Sequence, residues 1–210
     1  MENSKYKLIL ASTSPRRKEL LGHLKIPFEI MTKNVVEESN AQNPKDFCME
    51  IAFLKGEAVA TELKEQGSLQ DYFIISADTI VSLNDKIFGK PRDRAEAQMF
   101  LKELAGKTHS VYTAVAVIVL KDDIKTTFSF VDESLVTFDK ISDELLKLYL
   151  DTGDSLDKAG AYGIQGPSLT FISKVEGSYS NVVGFPLSRF VQETAKFFNN
   201  EVLWSTYFQF

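Results

Sequence analysis

Apolar and polar positions along this chain switch between a period of two and a period near 3.6, and the switches mark its elements. Leu8-Ile9-Leu10-Ala11 is a continuous apolar run that breaks into Ser12-Thr13-Ser14 and then Pro15-Arg16-Arg17-Lys18-Glu19-Leu20-Leu21. This predicts a buried strand ending near Ala11, an N-cap at Ser14, Pro15 as first helical residue and a helix beyond it. Ile26 to Ile30 alternates as a strand with Pro27 at its start or on an edge, and an extended stretch from Val35 closes on Glu37 and Glu38. Phe47, Ile51, Leu54 and Ala58 recur at helical spacing, which predicts a helix from Pro44 to Leu63 with Lys55 snorkelling out of an apolar turn, followed by a polar loop from Glu62 to Asp71.

Phe73 to Val81 reads as a strand buried on both faces and interrupted by a single acid, Asp78. Turns are expected at Asn84-Asp85 and Gly89-Lys90-Pro91, with a helix from Arg94 to Leu104 that Gly106 stops. Val111 to Leu120 and Lys125 to Phe138 predict an antiparallel hairpin turning at Asp122-Asp123. A helix capped by Ser142 runs to Leu150, and Asp154 to Pro167 packs three glycines and a proline around Asp157 and Lys158. Leu169 to Ile172 is expected as a short strand, Ser178 to Gly184 as a polar loop and Leu187 to Phe198 as a helix. The aromatic tail with Trp204, Tyr207, Phe208 and Phe210 is expected to dock on the body or on a partner.

Composition narrows the setting. With 210 residues, 44% of them hydrophobic and 25% charged, the chain can bury a core without staples, and its only cysteine, Cys48, allows no internal disulfide. A reducing compartment fits this. The first seven residues lack an apolar core with a cleavage site and no run is long enough to span a bilayer, so a cytoplasmic protein without a membrane partner is expected. Twenty-four basic against 29 acidic residues give a net charge of −5, which argues against nucleic acid as a partner but leaves room for a local basic pocket and a small anionic substrate.

The candidate chemistry starts at Ser14. A strand feeding a helix N-terminus presents free N–H groups and the positive end of the helix dipole, and Arg16, Arg17 and Lys18 stand there unless an anion offsets them. An ordinary capped helix with solvated cations is the plainer account. A buried unpaired carboxylate costs several kcal/mol, so Asp78 calls for a cation, a metal or a dense set of hydrogen bonds, unless it is a structural aspartate at a strand end. Glu37 and Glu38 also read as a solvated loop, the glycine-rich segment as a surface loop, and His109 as a structural histidine. No Walker loop, dinucleotide fingerprint, zinc spacing or assisted Ser or Cys nucleophile occurs. The cations Arg16, Arg17, Lys55 and Lys90 and the acids Glu37, Asp78 and Asp157 each fall at a predicted loop or strand end. If they converge, they bind a polyphosphate with a divalent ion and serve phosphoanhydride hydrolysis.

Four blocks occur in order: Leu10-Ala11-Ser12-Thr13-Ser14-Pro15-Arg16-Arg17, Ala77-Asp78-Thr79-Ile80-Val81 followed by Gly89-Lys90-Pro91-Arg92-Asp93-Arg94, Ala105 to Thr113, and Asp157 to Gly166. Together they resemble the signature of the Maf family of nucleotide pyrophosphatases, over about Leu8 to Leu187. The resemblance implies one α/β domain over residues 1–210, with a long bent mixed sheet flanked by helices in two lobes, similar to the inosine triphosphate pyrophosphatases. It also implies hydrolysis of a nucleoside triphosphate between the α and β phosphates, with Mg²⁺ or Mn²⁺ as cofactor and a homodimer as assembly. Carried over, Asp78 matches the proton acceptor, with Lys55, Lys90 and Glu37 around it in the catalytic set. Ser12, Ser14, Arg16 and Arg17 match substrate-binding positions, and Glu37, Asp78 and Asp157 match acids that hold the metal or orient water. Arg16, Thr79 and Gln165 fit the branch that prefers dTTP and UTP, in which Gln165 can both donate and accept at the pyrimidine edge and CTP is expected to be a poor substrate. Val36, Gly56 and Ala114 depart from the residues usual there, an acid, alanine and glycine respectively. A non-catalytic nucleotide-binding regulator of cell division, and a pyrophosphatase for a modified or purine nucleotide, are the competing expectations.

Overall fold

Residues 5–67, 70–199 and 208 are described by the computed structural model. Seven strands form one mixed sheet in the order β2 (Glu29–Ile30), β1 (Lys7–Leu10), β3 (Tyr72–Leu83), β5 (Thr108–Lys121), β6 (Ile124–Phe138) and β7 (Ile172–Glu176), while β4 (Lys86–Phe88) pairs β3 beside that path. Both neighbours of β1 run parallel to it, and the other pairs are antiparallel. Asp122 and Asp123 turn the β5–β6 hairpin with φ of 48° and 62°, a two-residue turn whose twist suits long paired strands.

Period-two alternation in β3 decides what each helix covers. Ile74 packs with Ile9 and Ile118 against Val59, Ala60 and Leu63 of α2 (Pro44–Glu65). Phe73, Ile75 and Ala77 face the other way, toward Leu20 and Leu21 of α1 (Pro15–Gly22) and Phe190 of α6 (Leu187–Phe197). A second apolar centre gathers Leu101 and Leu104 of α3 (Arg94–Leu104), Leu146 and Tyr149 of α4 (Asp143–Asp151), and Val81, Val111, Phe138 and Phe171. The expected two-lobed α/β architecture is therefore present.

Between the lobes the sheet has a gap. β1 pairs β3 only as far as Ile75, whose carbonyl accepts from the Ala11 N–H at 2.7 Å, and β4 joins only at Val81. Residues 76–80 thus have β5 on one side and an open edge on the other, at the carboxyl end of the parallel pair where α/β sheets receive ligands.

Some boundaries differ from the sequence reading. Only Glu29–Ile30 of the Ile26 to Ile30 segment pairs, since Pro27 brings no N–H to a ladder, and the second helix continues to Glu65. The strand expected at Leu169 to Ile172 is a 3-10 turn at Pro167–Thr170, and β7 starts only at Ile172. The loop expected at Ser178 to Gly184 holds a short helix, α5 (Tyr179–Val183), capped by Ser178 and held by buried Asn181 and Val183. Of the aromatic tail, Phe208 is buried, bridges Tyr6 and lies edge-on to Phe73 at 5.2 Å, so it docks on the body; Trp204, Tyr207 and Phe210 lie outside the described residues. Gly56 is explained by packing: a Cβ there would come within 2.6 Å of Ser76 Oγ, which donates to the Ala52 carbonyl at 2.7 Å.

Candidate functional site

The open edge of β3 forms the floor of a cleft of about 690 Å³, lined from α1, α2, β3, the Gly89–Lys90 turn and the glycine-rich segment before β7. Asp78 points to the α2 face and is 7% exposed. Its partner is the residue read from sequence as snorkelling: Lys55 Nζ lies 2.7 Å from Asp78 Oδ1 and 2.8 Å from Glu37 Oε1. One ammonium thus ties together two carboxylates carried by β3 and by the loop before α2. Behind Asp78, the Cys48 thiol donates to the Asp78 backbone carbonyl at 3.3 Å, and burial, reinforced by Asp78, pushes its pKa up. Cys48 is therefore a packed thiol, not a nucleophile.

Thr79 points to the opposite face, where Arg17 waits. Ser14 caps α1 by accepting from the Arg17 N–H, and Ser12 Oγ accepts from both the Ser14 N–H and Arg17 Nη1. Arg17 Nε donates to the Gly184 carbonyl at 2.9 Å and Nη2 to Thr79 Oγ1 at 3.0 Å. Among the described residues the hydrogen-bond partners of this guanidinium, Gly184 O, Ser12 Oγ and Thr79 Oγ1, are all neutral, and it joins no ion pair. Burial lowers its pKa while Asp78 pulls it back up. A cation so placed, at a helix N-terminus and beside the cleft, leaves a place for an anion.

Arg16 leans to the other lobe. Its Nη1 donates to Asp157 Oδ2 at 3.1 Å, and Lys158 Nζ reaches Asp157 Oδ1 at 2.6 Å and Asp154 Oδ1 at 2.9 Å. Burial works upward on the Asp157 carboxyl, but hydrogen bonds from Lys158 and Arg16 outweigh it and hold the pKa below its ordinary value. Lys90 and Gln165 are exposed on the cleft rim, and the Gly89 carbonyl accepts from the Gly160 N–H at 3.0 Å, which joins the lysine turn to the glycine-rich segment.

The candidate residues therefore gather in separate groups around one cleft: Lys55, Glu37 and Asp78; Ser12, Ser14, Arg17 and Thr79; Arg16 with Asp157; and Lys90 and Gln165 on the rim. Asp157 does not join the other two acids, and among the described residues no three His, Cys, Asp or Glu side chains form a metal cluster. Glu37 and Asp78, which converge on one cation, do match the habit of Mg²⁺, held by one or two carboxylates and completed by substrate phosphates and water. Sequence reading missed Thr113, fully buried opposite Thr79, and the carbonyls of Asn181 and Gly184, whose role is carried by backbone atoms that leave no side-chain signature. His109 is structural: it is 2% exposed, bonds the Tyr162 hydroxyl through Nε2 at 2.7 Å, and burial lowers its pKa to about 4.

Known proteins share this arrangement of sequence. The dTTP/UTP pyrophosphatase of Thermoanaerobacter sp. (strain X514) is 45% identical over 183 residues, covering 87% of this chain and 92% of the relative. That of Bacillus thuringiensis subsp. konkukian (strain 97-27) is 45% identical over 192 residues, 91% and 95% of the two chains. The profile of the Maf-like proteins matches residues 7–197, and with nearly the whole fold and the cleft inside that span, the chain belongs to the Maf-like protein family.

Proposed function

We propose that this protein hydrolyses nucleoside triphosphates, dTTP and UTP foremost, to the monophosphate and pyrophosphate. The observation that carries the reading is the pairing of Asp78 with Lys55 and Glu37 on one face of the open β3 edge, with the buried Arg17 on the other. A protein that only held polyanions would gain nothing from a buried acid facing them unless a metal lay between them.

The first turn of α1, Arg17 and Lys90 bind and orient the phosphates. Glu37 and Asp78 would hold the divalent ion, Mg²⁺ or Mn²⁺, which when bound supplies charge neutralisation and polarisation of phosphate oxygens. Asp78 takes a proton from the attacking water, whose oxygen bonds to the α-phosphorus as the bridging α–β P–O bond breaks and pyrophosphate leaves. Lys55, which holds Asp78 and Glu37 in place, offsets negative charge as the phosphates arrive. Gln165 on the rim is placed in this reading against the pyrimidine edge, where an amide offers both a donor and an acceptor.

Among the described residues no helix is long and apolar enough to cross a membrane. The cytoplasmic setting and the homodimer belong to this proposal, and fractionation and sedimentation check them. Pyrophosphate release from a panel of nucleoside triphosphates with Mg²⁺ or Mn²⁺, run beside Asp78→Asn, tests the chemistry. Release from dTTP and UTP that the variant loses supports it; binding of those nucleotides with no release from the wild type overturns it.

A further inference from the structure

Arg16 and Arg17 are consecutive in the first turn of α1, yet they are held by opposite kinds of partner. Arg17 rests on neutral oxygens, whereas Arg16 is tied to an ionised one: its Nη1 donates to Asp157 Oδ2 at 3.1 Å and its Nη2 reaches the Asp157 carbonyl at 3.5 Å. Asp157 comes from the glycine-rich segment, whose Ala161 and Tyr162 pack in the second apolar centre, so the pair spans the cleft that both residues line. Of the ion pairs among the described residues, it alone joins α1 to that segment. The Asp157 side chain is 62% exposed, so a dissolved anion can reach the pair.

The two ends of this pair are not equally fixed. Asp157 Oδ1 accepts from Lys158 Nζ at 2.6 Å, and that ammonium is itself anchored on the Asp154 carbonyl at 2.8 Å and on Asp154 Oδ1 at 2.9 Å. Tyr149 donates to the other Asp154 oxygen at 3.2 Å, and the Lys158 stem lies where a Cβ on Gly163 would come within 2.6 Å of its Cδ. If Arg16 lets go, Asp157 therefore keeps a cation and stays in place, with only Oδ2 turned to water. Arg16 pairs with no other acid among the described residues, so its release needs another anion to receive it. A phosphate offers a guanidinium the same pair of oxygens as a carboxylate. We infer that Asp157 is an internal competitor of the phosphate chain: it holds Arg16 across the empty cleft, yields it to a polyphosphate settling on the first turn of α1, and takes it back as pyrophosphate leaves. Lys158 is its positioning residue, keeping the carboxylate at the place to which Arg16 returns. The inference rests on the proposed binding of phosphates at α1 and adds to it a built-in limit on how tightly the product is held.

Calorimetric titration with inorganic pyrophosphate, in EDTA so that no metal enters the balance, compares the wild type with Asp157→Asn, Asp157→Ala, Arg16→Gln and the double variant Arg16→Gln/Asp157→Asn, all checked for folding by thermal melting. Removing the competitor should tighten pyrophosphate binding by about two- to fivefold in both Asp157 variants, the size expected of an exposed ion pair. The gain should vanish where Arg16 is already Gln, because there is then no guanidinium to set free. A gain of the same size in the Arg16→Gln background would mean that Asp157 merely repels the anion through its charge, and that result overturns the inference. So does unchanged or weaker binding in the two Asp157 variants, which would make Asp157 a support for the phosphate site rather than a competitor in it. The measurement needs no turnover, so it is separable from the proposed function: a protein that binds pyrophosphate in this pattern but hydrolyses no nucleotide keeps the inference and loses the activity, and a protein that hydrolyses dTTP and UTP without the pattern does the reverse.

Discussion

Asp78 and Thr79 are consecutive residues of β3 that line one cleft from opposite faces of the sheet, and they are held in opposite ways. On the α2 face, charges satisfy each other: Lys55 bridges Asp78 and Glu37. On the α1 face, one buried cation, Arg17, is held only by neutral acceptors, Ser12, Thr79 and the Gly184 carbonyl. The first face sets one cation against two carboxylates, a net negative group ready to move a proton, and the second carries an excess of positive charge ready to hold an anion. What separates the two environments is the pleat, which turns adjacent residues to different helices.

Substitutions on the two faces should separate chemistry from binding. The largest effect is expected from Asp78→Asn, which keeps the shape and removes the base: kcat should fall by about 10²–10⁴-fold while the Kd of the nucleotide without added metal, measured calorimetrically, changes little. Lys55→Met should destabilise the fold by about 3 kcal/mol in urea denaturation, since it strands a mostly buried carboxylate, and adding Asp78→Asn should recover part of that loss. On the other face, Arg17→Lys retains the charge but cannot reach three acceptors at once, so KM should rise about tenfold with stability altered less than by Lys55→Met. Equal loss of kcat and binding on both faces would erase the distinction.

Two smaller effects lie outside the comparison and serve as its controls. Gly56→Ala should cost about 1–3 kcal/mol through its contact with Ser76 Oγ, and Ser76→Ala in the same chain should relieve much of it, read by thermal melts of the wild type and the three variants of a double-mutant cycle. His109 has its pKa lowered from 6.5 to about 4 in the folded protein, so the unfolded chain binds the extra proton first as pH falls. Its contribution to stability is complete above pH 6.5 and is lost as pH drops toward 4, at up to about 1.4 kcal/mol per pH unit; His109→Gln should flatten that part of a stability-against-pH curve.

Much of this was legible in the sequence, for local reasons. Ser14 and Pro15 begin a helix because capping is settled within four residues, and the Asp122-Asp123 hairpin forms because both residues tolerate positive φ. The short helix at Tyr179–Val183 was not legible, because its few residues read as polar until Asn181 and Val183 are buried by other elements. The fate of Asp157 was not legible either. Its type and its neighbours suit a metal ligand as well as a partner for Arg16, and only the approach of α1 to the glycine-rich segment brings its carboxylate to the Arg16 guanidinium, at 3.1 Å.

The sequence by itself determined most of the elements, the family signature and the need for Asp78 to have a partner, because periodicity, capping and the cost of burying a charge are properties of a residue and its immediate neighbours. The tertiary structure alone decided that the partner is Lys55, 23 positions away, and that Thr113, 34 positions from Thr79, meets its hydroxyl. Local pattern tells a strand which face each side chain takes; what meets that face is decided by the packing of segments distant in the chain.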